Sequence, residues 1–136
     1  MFGMYNTIGC NSSTIDSPAH STLYIQVSPF NVGKGFVIQH GHSKIVLTNT
    51  CGDNCQIWQN VTLGKKQSGY NQPIPSIGNN VKISAGAIIL GDVHIGDNTT
   101  IGAGAIVLKN VPDNCVVLGN PARIIKRNGI AVKEKL

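Results

Sequence analysis

The sequence predicts an all-β solenoid of short strands stacked in triangular rungs. Three observations lead there. From Ile77 onward an aliphatic side chain returns every six positions, at Ile77, Ile83, Ile89, Ile95, Ile101 and Val107, a period that suits neither a helix nor a hairpin. The same step runs upstream through Ile45, Cys51, Ile57 and Leu63. Between the aliphatics lie turn formers, as in Ile95-Gly96-Asp97-Asn98-Thr99-Thr100, which a strand cannot cross without bending.

Each hexad is thus one strand and one corner, and three hexads close a turn of eighteen residues. Stacked turns place Cys51, Ile77 and Ile95 in one column, Ile57, Ile83 and Ile101 in a second, and Leu63, Ile89 and Val107 in a third. Val32, Ile38 and Ile45 extend the columns upward with one irregular step. A second small set, Val81, Ala87, Val93, Thr99, Ala105 and Val111, falls four positions after the first. With strands about 4.8 Å apart, four turns make a prism roughly 20 Å tall. Its narrow interior explains why the chain holds only three Phe, three Tyr and one Trp.

Along the chain, residues 1–31 show a short alternation at Leu23 to Val27 and read as an irregular N-terminal segment. The solenoid is expected over 32–119 and a basic C-terminal tail over 120–136. Within the solenoid, residues 64–76 break the repeat with Lys65, Lys66, Gly69, Tyr70, Pro73 and Pro75, and must leave the prism as an extended loop. The open end needs a cap, for which the Pro112 to Arg127 stretch, ending in a short helix, is the candidate.

A chain of 136 residues supports one core. No apolar stretch approaches the roughly 18 residues of a membrane span, and Met1 to Asn31 lacks a basic start followed by an apolar core, so a cytoplasmic protein that does not span a membrane is expected. The four cysteines, Cys10, Cys51, Cys55 and Cys115, have no metal-type spacing and read as buried free thiols, with no metal implied. The net charge of +5 is concentrated where Arg123, Lys126, Arg127, Lys133 and Lys135 face only Glu134. Such a segment suits a small polyanion, a membrane surface or solvent, while the scarcity of aromatics disfavours nucleic acid.

His20 and His94 stand alone and read as structural. His40 and His42 flank a glycine directly after Ile38, beside the irregular step. An imidazole titrates where a general base is useful, so the pattern leaves His40 either catalytic or structural. Gly102-Ala103-Gly104 lacks the third glycine of a dinucleotide fingerprint and belongs to the repeat.

The chain resembles hexapeptide-repeat acyltransferases of the serine acetyltransferase type, and particularly their short relatives linked with polysaccharide acetylation. The matching segments are Gly33-Lys34-Gly35, Ile38-Gln39-His40, Gln59 to Gly64, Ile83 to Ala87, Ile101 to Ala105, Val111 to Asn114 and Gly119 to Ile124. The resemblance implies a left-handed parallel β-helix and a homotrimer with active sites between neighbouring prisms. It also implies acetyl-CoA as co-substrate, with His40 as general base. Gly64, Ala85 and Ala103 match positions lining the pantetheine arm, and Lys109, Arg123 and Lys126 match basic positions near the CoA phosphates. Gln39, Trp58 and Tyr70 are candidates for the acceptor pocket.

Two departures bear on the acceptor. The acidic partner of serine-specific members corresponds to Gln26, and their second active-site histidine to Ile74. These departures lead to the expectation of acetyl transfer to a hydroxyl of a sugar or saccharide precursor. Serine O-acetylation stands as the alternative, and a non-catalytic trimeric scaffold as the reading from another class.

Overall fold

A computed structural model describes residues 23–40 and 44–136; His20, His42 and Cys10 lie outside the described residues. The chain folds as a left-handed parallel β-helix with three faces. The first face stacks β1 (Leu23–Gln26), β3 (Lys44–Leu47), β6 (Thr62–Gly64), β9 (Ile88–Leu90) and β12 (Ile106–Val107). The second stacks β4 (Thr50–Cys51), β7 (Ser76–Ile77) and β10 (His94–Ile95). The third begins with β2 (Val37–Ile38), β5 (Gln56–Ile57), β8 (Lys82–Ile83), β11 (Thr100–Ile101) and β13 (Cys115–Leu118). It continues into antiparallel β14 (Arg123–Arg127) and β15 (Ile130–Lys135).

The inward columns follow the six-residue step. Cys51, Ile77 and Ile95 are register partners, as are Ile38, Ile57, Ile83 and Ile101, and Leu63, Ile89 and Val107. Their side chains, with Val61, Val81, Ala87, Val93 and Ala105 beside them, form one continuous buried cluster. The free thiols of Cys51, Cys55 and Cys115 are buried within it.

One column differs from the expected register. Ile45 pairs with Thr62, and Val46, buried at 1% exposure, stands above Leu63. The chain spends two extra residues at the corner between Ile38 and Val46 and one fewer before Cys51. Strand alternation then turns Lys44, Val46 and Thr48 inward, and all three are buried.

The corner between the second and third faces is held by side-chain ladders. Asn54, Asn80, Asn98 and Asn114 all adopt φ between 54 and 56°. Each amide donates to the next, from Asn54 to Asn80 at 3.3 Å, Asn80 to Asn98 at 3.0 Å and Asn98 to Asn114 at 3.1 Å. Alongside, a side-chain oxygen of each rung accepts the backbone N–H of the rung above, as Asp113 does from Asp97 at 2.8 Å and Asn79 from Asp53 at 2.8 Å. The ladder leaves no room for a side chain at the preceding glycine: a Cβ at Gly52 would lie 2.5 Å from Asn79 Oδ1.

The strands of the first face end at Gly64 and the chain re-enters the prism at Ser76. The intervening residues leave the wall, with Tyr70 98% exposed. In place of the short helix expected near Arg127, the C-terminal residues continue the third face as a hairpin. Ile124 is the reason: it is buried at 2% exposure against the last rung, and the alternation of β14 with β13 seats it there.

Candidate active site

His40 occupies the corner that joins the third face to the first. Its backbone is left-handed, with φ of 53°, as at Asn60, Gly86 and Gly104 on the lower rungs of that corner. The side chain is exposed. Directly below comes Gln59, whose carbonyl accepts the Gly86 N–H at 3.0 Å, and beneath it Ala85 and Ala103 sit one rung apart, tied by Gly104 N–H donating to the Ala85 carbonyl at 3.0 Å. A Cβ added at Gly104 would meet nothing within 4 Å, so below Gln59 the two lower rungs of this corner form a bare ledge of backbone and methyl groups. An extended, narrow ligand arm fits such a ledge.

Gln39 and Trp58 are outward neighbours at the same edge: Gln39 N–H donates to the Ile57 carbonyl and Trp58 N–H to the Ile83 carbonyl. Arg123 pairs with Leu118, whose side chain covers Gly102, so it lies at the foot of this ledge. Gly64, Lys109 and Tyr70 are not with them. Gly64 is buried between Leu47 and Leu90 at the opposite edge of the first face. Tyr70 is on the loop that leaves from that edge, and Lys109 follows β12 there, its Nζ donating to the Leu136 carbonyl at 2.8 Å. Lys126 belongs to a third place, lining a cavity with Asn98, Asn114 and Asn128 at the asparagine corner.

Gln26 and Ile74 also belong to the loop edge. The Gln26 carbonyl accepts the Thr48 N–H at 3.4 Å, and Thr48 Oγ1 donates to the Pro75 carbonyl at 2.7 Å. From the edge carrying His40 to the edge carrying Gln26 is about 10 Å, three residues of strand. The loop itself folds back on the wall, where Lys66, Gln67, Gln72 and Pro73 line a cavity of about 360 Å³ with Leu90, Gly91, Asp92 and Leu108.

Lys44 is the functional candidate that the sequence reading missed. By register it continues the inward column of Val61, Ala87 and Ala105, each 0% exposed, and it is itself 0% exposed. Its Nζ donates to the Gln39 carbonyl at 2.7 Å and the His40 carbonyl at 2.9 Å. Burial lowers its pKa from the ordinary 10.5 to about 8. The signal was present in the sequence, as a lysine two residues before Val46, but the register that assigned Ile45 to the column hid it.

Residues 75–109 match the bacterial transferase hexapeptide family (six repeats). The chain is 46% identical over 104 residues to serine acetyltransferase of Synechococcus elongatus, covering 74% of this chain and 42% of that protein. It is 41% identical over 111 residues to serine acetyltransferase of Staphylococcus aureus, covering 79% and 52%. It is a serine acetyltransferase-like hexapeptide-repeat protein. Among solved structures, serine acetyltransferase of Neisseria gonorrhoeae superposes with a TM-score of 0.70 at 32% identity, over 79% of this chain and 42% of that one. The coenzyme A complex of serine acetyltransferase from Brucella abortus gives 0.65 at 35% identity, over 76% and 42%. This serine acetyltransferase-like chain thus spans about half the length, or somewhat less, of the relatives it matches.

These relatives overturn the expectation of a sugar hydroxyl as acceptor. That expectation rested on Gln26 and Ile74 replacing an acid and a histidine, and the similarity to serine acetyltransferases extends through the rest of the wall despite both replacements. The association with polysaccharide biosynthesis goes with it. No helix among the described residues is long and apolar enough to cross a membrane, and no three His, Cys, Asp or Glu side chains among them gather as metal ligands.

Proposed function

We propose that the chain catalyses acetyl transfer from acetyl-CoA to the hydroxyl of L-serine in the cytoplasm, with His40 as general base. The observation that carries the reading is the position of His40 on an exposed corner at the head of the column that runs down through Gln59 to the Ala85 and Ala103 ledge. The similarity to serine acetyltransferases supplies the acceptor.

The chemistry follows from that arrangement. His40 takes the serine hydroxyl proton as the oxygen attacks the thioester carbonyl, and the tetrahedral intermediate collapses by breaking the C–S bond. The proton passes from the imidazolium to the departing CoA sulfur, leaving O-acetylserine and CoA. Both substrates are held together, so no covalent enzyme intermediate is required. Ala85 and Ala103 admit the pantetheine arm, Arg123 and, from a neighbouring copy, Lys109 are cations for the CoA phosphates, and Gln39 and Trp58 border the acceptor, while Lys126 at the asparagine corner is left out of the site.

The working unit in this reading is a homotrimer. His40 stands at one edge of the first face, while Gly64, Lys109, Gln26, Ile74 and the loop stand at the other, so a site using both edges needs two copies. The first face suits such a seam: Leu47, Ile88, Leu90 and Ile106 are outward yet half-buried, and Leu108 is exposed.

The test is release of CoA thiol with L-serine as acceptor, O-acetylserine being identified by mass. Wild-type protein turns over and His40→Ala falls by at least about 10² in kcat while still binding acetyl-CoA. Unchanged turnover in His40→Ala, or no thiol release with L-serine, overturns the proposal.

A further inference from the structure

We propose that Lys44 is a positioning residue for His40, clamping from inside the prism the corner on which the imidazole stands. The inference rests on the acetyltransferase reading above. Its first support is location. On the rungs below, the same inward column holds Val61, Ala87 and Ala105, and small aliphatics satisfy the packing there. An ammonium in that column is a poor choice for stability, because burying a charge costs more than filling the space with a hydrocarbon. Among the described residues the one ion pair joins Arg127 and Glu134 on the C-terminal hairpin, far from this corner. Among the described residues Lys44 therefore has no ion-pair partner.

The second support is what the ammonium touches. Both of its hydrogen bonds end on the two consecutive carbonyls of Gln39 and His40, at 2.7 and 2.9 Å. Those carbonyls belong to the peptides on either side of the left-handed residue, so the two bonds fix the orientation of both. On the lower rungs the corner is kept by asparagine or glycine, for which positive φ is readily adopted. At this rung the left-handed residue is His40, which is neither asparagine nor glycine. A directed, charge-assisted clamp from the core takes their place. A local departure from good packing beside the reacting group is where a functional constraint is expected.

Lys44→Met keeps the volume and removes the donor, and Lys44→Arg keeps a charged donor. Each is compared with wild type by kcat, KM for acetyl-CoA, Tm and the NMR spectrum of 15N-histidine. For Lys44→Met the expected result is a fall of about 10² in kcat with KM for acetyl-CoA within about twofold, a Tm equal to or above wild type, and displaced His40 imidazole resonances with His94 unmoved. Lys44→Arg recovers at least about a tenth of the wild-type rate if it folds. Wild-type kcat in Lys44→Met overturns the proposal. So does a fall in Tm together with acetyl-CoA affinity, which would mark a merely structural lysine. If wild-type protein shows no turnover with L-serine, the acceptor reading fails separately; unmoved His40 resonances in Lys44→Met would then sink the clamp, and displaced ones would uphold it.

Discussion

Asn80 donates its side-chain amide to Asn98 one rung below at 3.0 Å, and both residues hold a left-handed backbone at 54 and 55°. The same two properties, an amide that gives and accepts and a tolerance for positive φ, select asparagine at this corner rung after rung. Asn98→Ala loses both ladder bonds and puts a residue without asparagine's tolerance for positive φ into the left-handed region, costing about 1–3 kcal/mol. Asn98→Gly loses the bonds but not the conformation. Chemical denaturation should therefore rank wild type above the glycine variant and the glycine variant above the alanine.

Gly78 faces the Asp97 carboxylate of the next rung, and a Cβ there would also lie 3.0 Å from the Ile95 carbonyl. Asp97 cannot move aside, because its Oδ1 accepts the Asn79 N–H at 2.6 Å. Gly78→Ala should lose about 1–3 kcal/mol. Gly104→Ala, at a corner with open space around the added methyl, meets only its backbone penalty and should lose less. Thermal melts of the pair test whether crowding or conformation sets the cost.

The lowered pKa of Lys44 makes stability depend on pH in a defined direction. Below about pH 8 the amine is protonated both folded and unfolded, and its burial penalty is fully present. Between about pH 8 and 10.5 the unfolded chain binds more protons than the folded one, so this residue's contribution rises with pH, by at most about 3 kcal/mol. Of the strands beside it, β6 carries no titratable group and β1 carries Tyr24, which is outward and exposed. Urea titrations across this window should show the rise in wild type and its loss in Lys44→Met. An equal rise in both proteins would assign it elsewhere.

In the family resemblance Gln26 corresponds to the acid of serine-specific members. An amide holds an imidazole tautomer but does not stabilise the imidazolium, a difference of up to about 10⁴ in a serine-protease triad. If Gln26 of one copy orients His40 of the next, Gln26→Asp should raise kcat with L-serine by at least about tenfold. It should also steepen the acid limb of the pH–rate profile. A lower or unchanged rate would remove Gln26 from the site.

Ile83, Ile89 and Ile101 could be assigned to the core from the sequence because six-residue periodicity and turn chemistry agree at each of them. The asparagine ladder was legible only as turn formers, since its bonds join residues eighteen positions apart. Lys44 was illegible because the corner after Ile38 changes length, and a shift of one residue exchanges inside for outside along a whole strand. His40 could be singled out by its glycine-flanked pattern. Its relation to Gly64 and Lys109 could not, because they stand on other rungs at the opposite edge of the first face, and the sequence does not show which edges a second copy would bring together. Ile124 escaped notice for a simpler reason: one buried aliphatic among cations gives no period.

The antiparallel turn into β14 and β15 has a consequence for self-association. A parallel wall left open at its last rung would present a template on which another chain could continue in register, indefinitely. Reversing direction at Leu118 and ending on a strand that carries Lys133, Glu134 and Lys135 removes that template. Axial growth in register from this end of the wall is thereby disfavoured.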